Sequence, residues 1–455
     1  MKRSLSDIFK REYEVRLSVS TGDTIAPGAE RWNGAALLTP DGDDVFRGGD
    51  LSGIEKTFAL LRGLRPRVLR IDALSPDLER WMEFCRAEEI CPHLVFPQEM
   101  PLEQMEAAAS ACAGTFSGNE LWNPVRFYEI SCASGRIPFE DDASAEAAAA
   151  SMKAGAERLR GADPEAKIIL GGLFPSAEDR GKADLWDRML LERCGSVMDM
   201  IGVRMFPAFP ACPWDENADG IEVNWAMAEE LRRGLQYLEL LVRETVQDRE
   251  IRIAVTGWGP RQDGTAQKRQ DCVFLSAVYS MLRNAPSVEL FECGPLFGKN
   301  GLLAEDDGHI FGNVFFQNML LTGADPEIRL RVKETEQDKG IPVYHWEGIP
   351  GVFRGGDIPL LEIIASRSPD GKRLFLFLTN RSPFRLAVPR IRFSDMPDMH
   401  PVKALILRSK KRLDENTSAA PDTVYCKEVK LRNYRKMDHV TLEIPECSTA
   451  CMVLE

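Results

Sequence analysis

Asn123-Pro-Val-Arg-Phe-Tyr-Glu-Ile-Ser-Cys-Ala-Ser-Gly135 and Ile251-Arg-Ile-Ala-Val-Thr-Gly-Trp-Gly-Pro260 share one pattern. In each, a short β-prone run passes directly into small and turn-forming residues. Each reads as a buried strand running into a loop, because a strand covered on both faces carries a continuous apolar run. Strand candidates of this kind stand at 33–38, 67–71, 92–96, 126–130, 167–170, 198–203, 252–255 and 288–291. Helical runs fall between them, for example at 51–62, 76–89, 143–160, 185–193, 223–244 and 266–283, and 311–321 follows the last strand. Strand–helix alternation repeated eight times predicts a (β/α)8 TIM barrel. The alternative is an open doubly wound sheet. The count of eight favours closure, as does the lack of a phosphate-binding glycine fingerprint after the first strand.

Beyond residue 325 the texture changes. Short strand candidates follow at 328–333, 360–365, 373–379, 385–388, 402–406, 424–430, 439–444 and 451–454. Turn residues such as Ser368-Pro-Asp-Gly371 and Asn380-Arg-Ser-Pro383 separate them. This predicts a C-terminal antiparallel β-sandwich over 326–455. Residues 12–19 also alternate, so the segment 1–30 is expected to add a strand to that sandwich, with the barrel spanning 31–325.

The 455-residue chain is long enough for a large core. Its net charge of −13 and lack of a long basic run argue against nucleic acid as a partner. The start, MKRSLSDIFKREYEVRL, has no apolar h-region, and no stretch has transmembrane length. A cytoplasmic protein without membrane contact is expected. Eleven cysteines without CxxC spacing fit reduced thiols. The histidines at 93, 309, 345, 400 and 439 form neither HxH nor HExxH, so no metal and no cofactor are expected.

The ordered series of segments resembles the α-L-arabinofuranosidases of glycoside hydrolase family 51. In that family one strand ends Trp-Glu-Ile-Gly-Asn-Glu, its last Glu being the general acid/base; Tyr128-Glu-Ile-Ser-Cys-Ala133 is similar. A second strand ends Asp-Glu-Trp, its Glu being the nucleophile; Thr256-Gly-Trp258 is similar. Arg70 matches an Arg that the family follows with an aromatic residue, Pro and two glycines, here replaced by Ile71-Asp72-Ala73. Leu78-Glu-Arg-Trp-Met-Glu-Phe-Cys-Arg86 looks like the next family helix, and the long loop that separates the two in the family is missing. Asp163–Gly172 matches the fifth-strand segment. Val197-Met-Asp-Met-Ile-Gly-Val-Arg-Met-Phe206 is similar to Val-Asp-x-Ile-Ser-x-His-Tyr-Tyr, with Arg204-Met205-Phe206 in place of the last three. Family 39 of the same clan, whose nucleophile strand ends Thr-Glu-Trp, is a second choice.

The resemblance implies a barrel scaffold without its chemistry. A retaining glycosidase needs two carboxyl groups about 5–5.5 Å apart. Ala133 and Gly257 stand at the two family positions, and neither can protonate or attack. Three carboxylates are candidate substitutes. Glu292 ends the last barrel strand, at the mouth or in an exposed loop. Glu129 is either a relocated acid or a core residue paired with Arg. Glu120 sits in Gly118-Asn-Glu-Leu121, which spells the family tetrapeptide but precedes the strand and reads as a surface loop.

Cys132 is a thiol beside the lost acid, without a neighbouring histidine, and reads as a small buried side chain. Trp258 either stacks on a sugar or packs in the core. Arg70 and Arg204 would make a cleft cationic enough for a uronate, or merely balance Asp72 and Glu292. Phe206 completes the binding candidates.

The expectation is therefore a catalytically degenerate, carbohydrate-binding protein or a partner subunit of an active relative, in homo- or hetero-oligomers. The alternative is an arabinofuranosidase- or xylosidase-type glycosidase working with displaced carboxylates.

Overall fold

In a computed structural model the chain is described over residues 12–24, 32–36, 51–98, 100–117, 124–131, 141–175, 180–206, 221–259, 267–297, 301–306, 308–323, 325, 328–334, 341–349, 353–393, 400–429 and 439–455. Strand β1 (Glu12–Thr24) belongs to the C-terminal sheet. The barrel is built from β2 (Trp32–Ala36), β3 (Val68–Asp72), β4 (Cys91–Pro97), β5 (Phe127–Ser131), β6 (Lys167–Gly171), β7 (Met200–Met205), β8 (Arg252–Trp258) and β9 (Val288–Cys293). All neighbours are parallel, and β9 pairs back onto β2 to close the barrel.

Helices α1 (Leu51–Leu64), α2 (Leu78–Ala87), α3 (Leu102–Cys112), α4 (Asp142–Ala162), α5 (Arg180–Cys194), α6 (Ile221–Thr245) and α7 (Cys272–Asn284) each follow one strand and lead to the next. Helix α4 starts where a capping box forms: Ser144 N donates to Asp141 Oδ1 at 2.8 Å, and Asp141 N donates to Ser144 Oγ at 3.0 Å. Helix α3 is absent from the helical runs read above. Its buried face is only Met105, Ala109 and Cys112 in an Ala-rich segment, which is a weak periodic signal.

Side chains alternate along each strand, so the barrel interior forms layers. The lowest described layer is apolar: Val68, Cys91, Phe127, Ile169, Met200, Ala254 and Leu290. Two residues further along their strands come Arg70, His93, Glu129, Gly202, Thr256 and Glu292. The interior thus turns from apolar to charged toward the C-terminal strand ends, the end at which TIM-barrel enzymes place their chemistry. The outward residues, including Leu69, Leu94, Ile130, Leu170, Val203 and Val255, pack against the helices in one large core.

After the barrel come the hairpin β10 (Leu303–Asp306)–β11 (His309–Gly312) and helix α8 (Val314–Met319). The remaining strands are β12 (Ile328–Glu334), β13 (Val343–Ile349), β14 (Phe353–Pro359), β15 (Leu361–Arg367), β16 (Leu374–Asn380), β17 (Leu386–Phe393), β18 (Pro401–Arg408), β19 (Tyr425–Glu428), β20 (Val440–Thr441) and β21 (Ser448–Leu454). Eight of them join β1 in one nine-stranded sheet, in the order β19-β18-β21-β16-β15-β12-β1-β17-β20.

This sheet is mixed rather than purely antiparallel, because β1 runs parallel to β17. A strand arriving from the N-terminus is not tied to its neighbour by a hairpin, so nothing forces the antiparallel direction. Leu374, Leu376 and Leu378 of β16 enter the sheet's own apolar core, together with residues of β18 and β21 from one end and of β1, β17 and β20 from the other. A single cluster fed from both ends means that the sheet curls over itself as a sandwich does. The alternate residues Phe375 and Phe377 join the barrel core. There the Phe377 ring lies 5.6 Å from Tyr279 of α7, edge to face. The β13–β14 hairpin was not foreseen from the sequence.

Candidate functional site at the charged end of the barrel

Four buried ionisable side chains are wired together above the apolar layer. Arg70 Nε on β3 donates to Glu129 Oε2 on β5 at 2.6 Å. His93 on β4 lies with Nε2 3.4 Å from Glu129 Oε2 and Nδ1 3.1 Å from Glu292 Oε1 on β9. Thr256 on β8 donates its hydroxyl to Glu129 Oε1 at 3.4 Å. Relative exposures are 3% for Arg70, 0% for His93, 1% for Glu129, 0% for Glu292 and 1% for Thr256. Side chains of β3, β4 and β8 therefore converge on the one carboxylate of β5, and His93 links it to that of β9.

The two carboxyl groups are driven in opposite directions. Burial by itself raises that of Glu129, but the Arg70 charge and hydrogen bond, with help from His93 and Arg204, hold it down to about 2. Burial dominates at Glu292 and raises it; His93 and Arg70 oppose the rise, and the Glu129 charge adds to it. The Arg70 guanidinium is itself held more firmly protonated: burial opposes this, and Glu129 outweighs burial. A pair split in this way is the electrostatic pattern of an acid and a base, although here both members lie beneath the reach of solvent.

At the next level Arg204 of β7 donates from Nη2 to Ser131 Oγ of β5 at 3.0 Å, crossing the mouth. A register shift decides what surrounds it. Val203 pairs with Val255, but Arg204 pairs with Gly257 and Met205 with Trp258. The extra residue makes a bulge at Thr256. Thr256 reaches inward to Glu129, and Gly257 shares the inward level of Arg204. Trp258 is thrown outward with its pairing partners Met205 and Cys293, all three in the core between barrel and helices. Trp258 is 0% exposed. The sugar-stacking reading of Trp258 is thus overturned by the bulge, and its core-packing alternative holds.

Glu292 likewise lies inside the barrel rather than in an exposed loop. Asp72 is exposed at the end of β3, where it accepts from Leu74 N at 2.8 Å and its charge also acts on Arg70. Phe206 is half-buried beyond the end of β7. Glu120, Cys132 and Ala133 lie outside the described residues. His93 is what sequence reading missed: it was weighed only as a metal ligand. The signal was a single ionisable residue within the apolar run Cys91-Pro-His-Leu-Val-Phe-Pro97, at a position of inward parity. Among the described residues, no group of three or more His, Cys, Asp or Glu is placed to hold a metal.

Fold and site define a (β/α)8 barrel with a curled C-terminal sheet and a charged cluster toward the C-terminal ends of its strands. No protein-family profile matches the chain, and no curated protein matches it. Solved structures do. An arabinofuranosidase structure superimposes with a TM-score of 0.75 at 16% identity, covering 97% of this chain and 100% of that one. The family 51 α-L-arabinofuranosidase of Bifidobacterium longum gives 0.74 at 12% identity, covering 96% and 99%. That of Thermotoga petrophila RKU-1 gives 0.70 at 15% identity, covering 97% and 100%. The chain therefore has, from end to end, the fold of the family 51 arabinofuranosidases.

Proposed function

We propose that this chain is a glycoside-hydrolase-like protein of the family 51 type that has given up hydrolysis and acts by binding, either a carbohydrate or an active relative of which it is a partner subunit. The observation that carries this reading is Gly257. It stands inward at the strand end where the family's nucleophile belongs, and it has no side chain. Losing a covalent nucleophile costs several orders of magnitude in rate. The interior carboxylates that could substitute are committed, Glu129 to Arg70 and Glu292 to His93, at 1% and 0% exposure. The covered Trp258 leaves no aromatic platform at its own position, which favours a partner subunit over a neutral-sugar lectin.

The test is turnover of aryl α-L-arabinofuranosides, β-xylosides and uronides by the purified protein, beside Glu292→Gln, Glu129→Gln and Glu120→Gln variants. Silence across the panel supports the reading. Turnover abolished by one of the three changes overturns it and establishes the second reading, a glycosidase with a displaced carboxylate. The opposed protonation tendencies of Glu129 and Glu292 around His93 are what favour that second reading.

A further inference from the structure

Outside the barrel wall, one buried carboxyl has no cation bonded to it. Asp187 of α5 is 1% exposed, and its Oδ1 accepts from Leu173 N at 2.8 Å. Among the described residues this is its one hydrogen bond, and it joins no ion pair. The charged groups around it are engaged elsewhere. Asp184, one turn earlier on the same helix, adds a negative field. Arg188 and, from α6, Tyr237 donate to Asp184. On α4, Glu146 pairs with Arg193 and Arg160 with Asp199. From β6 and β7 come Gly171, Gly172, Leu173, Ile201 and Gly202, none of them ionisable. A methyl group placed on Gly172 would lie 2.7 Å from Asp187 Oδ1 and 2.8 Å from Ile201, so no water fits on that side. A charge buried without a partner costs far more than the neutral acid does. Burial accordingly holds the Asp187 carboxyl well above its ordinary 3.8; the Leu173 hydrogen bond opposes the rise and Asp184 adds to it.

What this carboxyl grips is the end of β6. Trp186 Nε1 donates to the Gly171 carbonyl at 3.1 Å, and Asp187 takes the Leu173 N–H two residues further on. Helix α5 thus holds the chain as it leaves the barrel wall. Strand β6 stands between β5 and β7, and the bond from Arg204 to Ser131 spans it at the mouth. Whatever loosens residues 171–175 loosens the support beneath that bond.

From this geometry we infer that Asp187 is a pH-sensitive latch on the barrel mouth: its protonated carboxyl holds residues 171–175 against α5, and its ionisation releases them. The latch works whether the mouth binds or hydrolyses a sugar, so it stands apart from the function proposed above. Released, Asp187 titrates at its ordinary 3.8; latched, it titrates higher. The latch is therefore at full strength below about 3.8. It weakens by about tenfold per pH unit as pH rises, until the latched carboxyl also ionises.

The experiment is amide hydrogen exchange of the full-length protein from about pH 4 to 8, corrected for the base-catalysed chemistry of exchange, with wild type beside Asp187→Asn. Thermal melts check that the variant is folded. The expected result is an opening equilibrium at the Gly172 and Leu173 amides that grows at least tenfold over this range in wild type, while β16 stays constant. Asp187→Asn, always uncharged, is expected to show no such growth. Opening independent of pH in wild type overturns the latch, as does the same growth in Asp187→Asn. Growth shared equally by β16 reports global unfolding and overturns a local device. Should Asp187→Asn fail to fold, carbon NMR of the Asp187 carboxyl in wild type decides. A carboxyl still neutral at about pH 6 supports the latch, and one already ionised there overturns it.

Discussion

Arg70 and Glu129 are joined across the barrel interior by an Nε–Oε2 hydrogen bond of 2.6 Å, with side-chain exposures of 3% and 2%. Neither residue can be removed alone without stranding a charge in a low-dielectric interior. Breaking such a pair from one side typically costs about 3–5 kcal/mol, whereas replacing both partners by apolar residues of similar volume is often neutral. Arg70→Met and Glu129→Leu are each expected to destabilise by about that amount in urea unfolding. The double variant is expected to lose less than the sum of the two, with a coupling of roughly 1–3 kcal/mol. Strict additivity would mean that the pair does not interact in solution.

The pH dependence follows from the same layer and has opposite signs at its two carboxylates. Glu129 is depressed from an ordinary 4.5 to about 2, so the stability it confers is complete above about 4.5 and is lost as pH falls toward 2. Glu292 is raised, so what it confers is complete below the ordinary carboxylate value and is lost as pH climbs through its folded value. Glu129→Gln is expected to flatten the acid limb of a plot of stability against pH. Glu292→Gln, always neutral, is expected to flatten the decline above 4.5. Unfolding free energies measured from pH 3 to 8 check both.

Trp258 is a core residue, so its truncation is a packing lesion. Trp258→Ala is expected to destabilise by about 3–5 kcal/mol, and Trp258→Phe by less. Neither is expected to act through a lost sugar contact, because the bulge at Thr256 turns the indole away from the mouth. Sugar-dependent fluorescence that disappears in Trp258→Phe would show the indole at the ligand instead.

The N-terminal strand is fastened to the C-terminal sheet at one point worth testing. Tyr13 is 5% exposed, and its hydroxyl lies 2.8 Å from Asn380 Oδ1 and 3.0 Å from the Leu360 carbonyl. Removing it leaves the Asn380 amide oxygen with only the Ser382 N–H, at 3.0 Å. Tyr13→Phe is expected to cost about 1–2 kcal/mol, read as a lower urea midpoint at unchanged slope. A loss within error would mean that water replaces the hydroxyl.

Eight apolar strand runs alternating with helical ones determined the barrel, because both faces of each strand are buried and the composition must show it. Helix α3 escaped since three small or flexible side chains, at 105, 109 and 112, suffice to seat it. Alternation within residues 12–19 revealed a strand of the C-terminal sheet, but not that it would lie parallel to β17, since no hairpin records the direction. That Ala133 and Gly257 carry no carboxyl group is legible in the sequence by itself, because a side chain that is absent needs no geometry to be recognised. What gathers around Gly257 was not legible. His93, Glu129, Thr256 and Glu292 are spread over 200 residues and meet only because closure of the barrel brings four strand interiors together. The fate of Trp258 hung on one further detail of tertiary structure. A single extra residue in β8 shifts the two-residue alternation by one position, and with it the side of the wall on which the indole falls.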